Sequence, residues 1–122
     1  MFNKRFLSQT LLLCGFTVFA PLPIYAQIIP DNTLSTEASK LTSNDVINGG
    51  AQRRNNLFHS FTQFNINDGQ RVYFANPVGV TNILTRVTGG QASNILGTLG
   101  VDGTANLFLI NPSGIYFGKN AR

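Results

Sequence analysis

The chain has 122 residues, 43% of them hydrophobic, and its nine Lys and Arg against five Asp and Glu give a formal net charge of +4. Lys4 and Arg5 sit at the extreme amino terminus, and the remaining basic residues, Lys40, Arg53, Arg54, Arg71, Arg86, Lys119 and Arg122, are scattered, without the basic stripe that nucleic-acid binders use. No nucleic-acid partner is expected. Cys14 is the one cysteine and His59 the one histidine, so a disulfide framework within the chain is excluded, and because Cys14 lies in the amino-terminal leader read below, a Cys/His metal site or Cys–His catalytic pair cannot be built after its removal. No cofactor is expected, and stability must come from regular hydrogen bonding and stacked apolar side chains.

Met1 to Phe6 carry two positive charges, Leu11 to Ala20 are almost wholly apolar, and Pro21 to Ala26 break the run and end on a small residue. This is the three-part plan of a secretory signal peptide, read here over residues 1–26 with cleavage between Ala26 and Gln27 and export through the general secretory machinery. The apolar run is too short to span a bilayer core, which takes about 20 residues, so no membrane anchor is expected after cleavage. Cys14 follows Leu13 in mid-run, which fits the core of a signal and not a lipid attachment site.

Residues 31–45, DNTLSTEASKLTSND, are polar and weakly periodic, and predict a loop with one short strand or turn of helix. From Val46 the character changes: short apolar runs alternate with Gly, Asn, Asp and Pro. They read VI before NGG, FNI before NDGQ, RVYFA before NPVG, NILTRV before TGG, NILGTLGV before DGT, NLFLI before NPSG, and finally IYF before Gly118. This punctuation predicts an all-β chain. Within NPSG, Asn111, Pro112 and Gly114 occupy the positions that a type I turn favours for Asn, Pro and Gly.

Asn followed by two apolar residues recurs at Asn82, Asn94 and Asn106, a spacing of twelve, and VYFANPVGV at 72–80 resembles LFLINPSGI at 107–115. Self-similar short strands with aligned turns predict a solenoid whose units bury their apolar faces by stacking. A parallel β-helix, with rungs about 4.8 Å apart, is the first expectation and a sandwich or barrel the second.

Chemistry finds little support. Asp31, Glu37, Asp45, Asp68 and Asp102 are dispersed, and Asp68 and Asp102 precede Gly as turn residues do. The chain has no G-x-S-x-G elbow, and its Gly-Gly pairs lack the phosphate-loop lysine. His59 reads as a packed or surface histidine, and the chain as no enzyme.

The segments INGGAQRRNNLFHSFTQFNIN, VYFANPVGVTNILTRVTGG and SNILGTLGVDGTANLFLINPSGIYFGKNA together resemble the amino-terminal secretion domain of two-partner secretion exoproteins, the filamentous haemagglutinin family, in its cyanobacterial form. The family's Asn-Pro-Asn-Gly-Ile box stands here as Asn111-Pro112-Ser113-Gly114-Ile115. The resemblance covers residues 27–122, about the first half of that domain, so the sequence reads as part of a longer one. Arg54 stands where the family has a small residue and Lys119 where it has Pro; a second family box, Asn-Pro-Asn-Leu, has only a loose counterpart at Asn76-Pro77-Val78-Gly79.

The resemblance implies a right-handed parallel β-helix that serves as the secretion and targeting module of a haemagglutinin-like adhesin. It implies recognition by the periplasmic domains of an outer-membrane barrel transporter, and a destination outside, or on the surface of, a Gram-negative-type bacterium. The residues it points to are Asn111, Pro112, Gly114 and Ile115, with Asn56, Leu57, Phe58, His59, Ser60 and Phe61 as a second recognition or capping segment. The Asn-Pro turn fits either a tight corner or a direct transporter contact. Two other readings share the architecture: the head of a contact-dependent growth-inhibition protein that delivers a toxin, and a β-helix enzyme acting on polysaccharide.

Overall fold

The computed structural model of the protein describes residues 27–122; the predicted leader, with Ala26 at its end, lies outside the described residues. The described chain is all-β apart from one 3-10 turn, Ser35–Glu37. Its strands are β1 (Ile28–Pro30), β2 (Ser39–Leu41), β3 (Val46–Gly49), β4 (Ala51–Arg53), β5 (Asn56–Phe64), β6 (Arg71–Ala75), β7 (Asn82–Val87), β8 (Ser93–Ile95), β9 (Thr98–Asp102), β10 (Asn106–Ile110) and β11 (Ile115–Phe117).

Parallel pairing joins strands far apart in sequence and so builds a β-helix with three faces. The first face stacks β5, β7 and β10, the second stacks β3, β6 and β9, and the third stacks β8 and β11 below a bridge from Ile66 to Ile95. Each turn of chain adds one strand to each face, because Gly, Asn and Pro corners bend it between short runs that cannot bury themselves alone. At one such corner a Cβ on Gly97 would collide with the carbonyl oxygens of Asn67 and Gln70, so only glycine lets the second coil lie on the first there.

Register fixes which side chains fill the interior. Leu57, Ile83 and Leu107 stack on the first face, as do His59, Thr85 and Leu109. On the second face Ile47, Phe74 and Val101 do the same. Around the first coil the filling is aromatic: Phe61 packs edge-on to Phe64 at 5.2 Å, and Phe74 stacks on Phe64 at 5.9 Å and tilts against His59 at 5.1 Å. The amino-terminal end of this core is closed by strands of opposite sense, β1 and β4 against β5 and β2 against β3, which cover edges that would otherwise be free to pair.

Several expectations change in detail. The helical period is about two dozen residues and not twelve: Asn56, Asn82 and Asn106 are register partners, whereas Asn94 lies on the third face opposite Tyr116. The twelve-residue spacing marks half a coil. The likeness of 72–80 to 107–115 is not a stacking relation either, since β6 belongs to the second face and β10 to the first. NILGTLGV, read as one run, divides at Gly97 into β8 and β9 on different faces. The β4–β5 hairpin, which the punctuation does not announce, turns through Arg54 and Asn55 with Arg54 at φ 58°.

Candidate functional site

Strand alternation divides the segment 56–61 between the two sides of its sheet. Leu57, His59 and Phe61 are buried in the interior, leaving Asn56 and Phe58 half-buried on the outward side together with Ser60, whose side chain is covered and only 1% exposed. Three ladders therefore run across the outer surface of the first face. Asn82 Nδ2 donates to Asn56 Oδ1 at 3.1 Å, and Asn106 Nδ2 donates to Asn82 Oδ1 at 3.2 Å. Beside this amide ladder, Phe58, Leu84 and Phe108 are in register, and beyond them Ser60, Arg86 and Ile110. Phe108 and Ile110 are 48% and 51% exposed, although both belong to an apolar strand.

The Asn-Pro box follows directly on β10. Gly114 N–H donates to Asn111 O at 3.0 Å, closing the turn, and Ser113 N–H donates to Asn111 Oδ1 at 2.9 Å. Asn111 Nδ2 donates to Gln91 O and to Ser93 Oγ, both at 2.9 Å, so one side chain both caps its own turn and ties it to the coil before. Gly114 has φ 108°, a left-handed value that favours glycine. Ile115 starts β11 and packs against the core, while Pro112 and Ser113 remain on the surface.

A polar clasp, which sequence reasoning missed, sits on the same surface. Asp31 Oδ1 accepts from Thr33 N–H at 3.1 Å and Thr33 Oγ1 at 2.6 Å, and its Oδ2 accepts from Ser60 Oγ at 2.7 Å and Thr88 Oγ1 at 2.8 Å. Burial raises the Asp31 carboxyl, but these hydrogen bonds outweigh it and hold the group at about 2. Arg86 donates through Nε to Ser60 Oγ and through Nη2 to Thr33 Oγ1, both at 2.8 Å. The clasp fastens the amino-terminal segment to two coils at once. Its members are 53 residues apart in the case of Arg86 and Thr33, so no local motif could have marked it.

Two hollows open on this surface and meet at Arg86 and Ile110. One, of about 410 Å³, is lined by Leu34, Arg53, Phe58 and Leu84 as well; the other, of about 470 Å³, reaches Thr88, Pro112 and Ser113. The two segments singled out in the sequence, 56–61 and 111–115, thus border one continuous surface, with Phe58 at one end and Pro112 at the other.

The arrangement offers little for covalent chemistry. Ser39 Oγ and His59 Nδ1 are hydrogen bonded at 2.8 Å, the spacing of a nucleophile and its base, but they are only 3% and 2% exposed. Burial pushes the His59 imidazole down to about 4, which keeps it neutral in the core. Among the described residues no group of three or more His, Cys, Asp or Glu is placed to hold a metal ion, and no helix is long and apolar enough to cross a membrane.

Compared with known proteins, the chain matches the family model of the TPS secretion domain over residues 26–122. No curated protein and no solved structure matches it.

Proposed function

The chain belongs to the TPS secretion domain family and is a two-partner secretion module, and from that premise we propose that it is the targeting head of a filamentous haemagglutinin-like adhesin. In this reading residues 1–26 are a signal peptide cut between Ala26 and Gln27, and the general secretory machinery carries the chain into the periplasm. An outer-membrane barrel transporter then recognises it through its periplasmic domains and passes it to the outside or to the cell surface. Asn111, Pro112, Gly114 and Ile115 shape the displayed turn. Asn56, Phe58 and Ser60 contribute the outward half of the second segment, and Leu57, His59 and Phe61 support it from within.

The observation that carries the reading is the family match over residues 26–122. Geometry supports it by placing the Asn-Pro turn at the rim of an exposed apolar surface, where a partner can reach both. The test is secretion in cells that make the transporter. Asn111→Ala deletes the turn's side-chain cap and both ties to the preceding coil, and Pro112→Ala frees the preset backbone angle, so each should lower the amount released severalfold while periplasmic arrival stays normal. Release at the parent level from both variants would remove these residues from the site.

A further inference from the structure

From Gln27 onward the chain is held to the first coil. Asn65 N–H donates to Gln27 O at 2.8 Å, and Ile28, 7% exposed, belongs to the core opposite Phe64 in the antiparallel pair of β1 with β5. Asp31 N–H then donates to Ser60 O at 3.2 Å, and the Asp31 carboxylate accepts from Ser60 and Thr88, so the segment 27–31 is tied down at both ends. Just beyond, Arg86 Nη2 holds Thr33 Oγ1 at 2.8 Å. The Ala26–Gln27 bond, where the sequence places the end of the leader, therefore adjoins chain that is already part of a sheet.

Hydrolysis of that bond adds one water across it, the hydroxyl going to the Ala26 carbonyl carbon and a proton to the Gln27 nitrogen. A signal endopeptidase has to take the chain extended on both sides of the bond, and Gln27 and Ile28 on the leaving side are the residues that β5 holds. The Gln27 carbonyl and the Ile28 side chain cannot engage β5 and an enzyme cleft at the same time. We propose that docking of β1 on β5 closes the Ala26–Gln27 bond to cleavage, so that removal of the leader has to precede closure of the amino-terminal end, and that the Asp31 clasp sets how firmly the bond is then shut. The proposal rests on the signal-peptide reading above and adds an order of events to it. Cutting of a docked chain proceeds only through molecules in which β1 has opened, and its rate follows their population. The clasp governs that population, because the bonds from Ser60 and Thr88 to the Asp31 carboxylate must break before the segment lifts away.

The test uses the full exoprotein chain with its leader, unfolded in urea, and purified signal peptidase in detergent micelles, with cleavage followed by mass spectrometry as peptides that begin at Gln27. Peptidase present when the chain is diluted out of urea should cut it about tenfold or more faster than peptidase added after folding is complete. Asp31→Ala should raise the cutting of folded chain about tenfold, the scale of one lost hydrogen bond to a charged group. Ser60→Ala combined with Thr88→Val should do the same from the coil side, with residues 22–34 unchanged. Equal rates for the two orders of addition overturn the proposal. So do folded variants that both resist cutting as the parent does, since β1 would then not be what protects the bond. Absence of any cut between Ala26 and Gln27 in either order is a separate result: it overturns the signal-peptide reading itself, and the proposal with it.

Discussion

At the scale of single residues, Arg54 carries a physical cost in its backbone. The turn between β4 and β5 needs a left-handed residue, and Arg54 supplies it at φ 58°. A side chain in that region costs about 1–2 kcal/mol, whereas glycine adopts it freely and loses about 0.5–1 kcal/mol through its greater freedom when unfolded. Arg54→Gly should therefore stabilise the protein by about 0.5–1 kcal/mol, seen as a raised denaturant midpoint at unchanged slope. A lowered midpoint would show that the turn is set by something other than this strain. The resemblance read from the sequence implies a small residue at 54, in keeping with a left-handed requirement that falls on one position.

His59 was not legible in the same way. Its partner Ser39 is 20 residues distant, and nothing local shows that its Nε2 lies buried without a partner among the described residues. The consequence is a pH dependence with a definite sign. The folded imidazole titrates at about 4 and the free one at 6.5, so the folded state binds fewer protons between those values. Its contribution is complete above about pH 6.5 and is lost as pH falls towards 4, by about 3 kcal/mol. Asp31 acts in a lower window: its folded value of about 2 lies below the free value of 3.8, so its contribution holds above 3.8 and disappears as pH falls towards 2. Denaturant midpoints measured from pH 7 to 4 should fall for the parent and stay nearly level for His59→Leu; parallel curves would show that His59 is not the group responsible.

At the scale of elements, the boundaries of β6, β7, β10 and β11 coincide with the apolar runs RVYFA, NILTRV, NLFLI and IYF, because Gly, Asn and Pro corners interrupt the chain wherever it changes face. Where corner chemistry is atypical, the reading fails. Arg-Arg-Asn-Asn at 53–56 carries no glycine, so the hairpin leaves no mark in the sequence, and Gly97 lies inside an apolar run that reads as a single strand. The amide ladder explains why asparagine opens strand after strand on the first face: each side chain donates to the one in the coil before and accepts from the one after. Asn82 makes both bonds and Asn106 one. At about 0.5–1 kcal/mol per partly exposed hydrogen bond, Asn82→Ala should cost about 1–2 kcal/mol and Asn106→Ala about half as much. Equal losses in equilibrium unfolding would mean that the ladder does not act as a chain of pairwise bonds.

At the scale of the whole molecule, burial is graded along the helix axis within residues 27–122. The first coil is enclosed, with Leu57, Phe61, Phe64 and Phe74 at 2% exposure or less and with β1, β2 and β4 closing its end. In the third coil Leu107, Leu109 and Ile115 are only partly buried, and Phe108, Ile110, Tyr116 and Phe117 are 48–62% exposed. A solenoid's stability is a sum of coil terms and nearest-neighbour interfaces, and β10 and β11 each make one such interface where β7 makes two. Local opening should therefore follow position along the axis and not strand length or propensity. In an isolated segment of residues 27–122, native-state hydrogen exchange is expected to show the slowest amides in β5 and β7 and the fastest ladder amides in β10 and β11. Uniform protection across the three coils would mean that the chain unfolds as one unit, and the gradient of burial would then carry no gradient of stability.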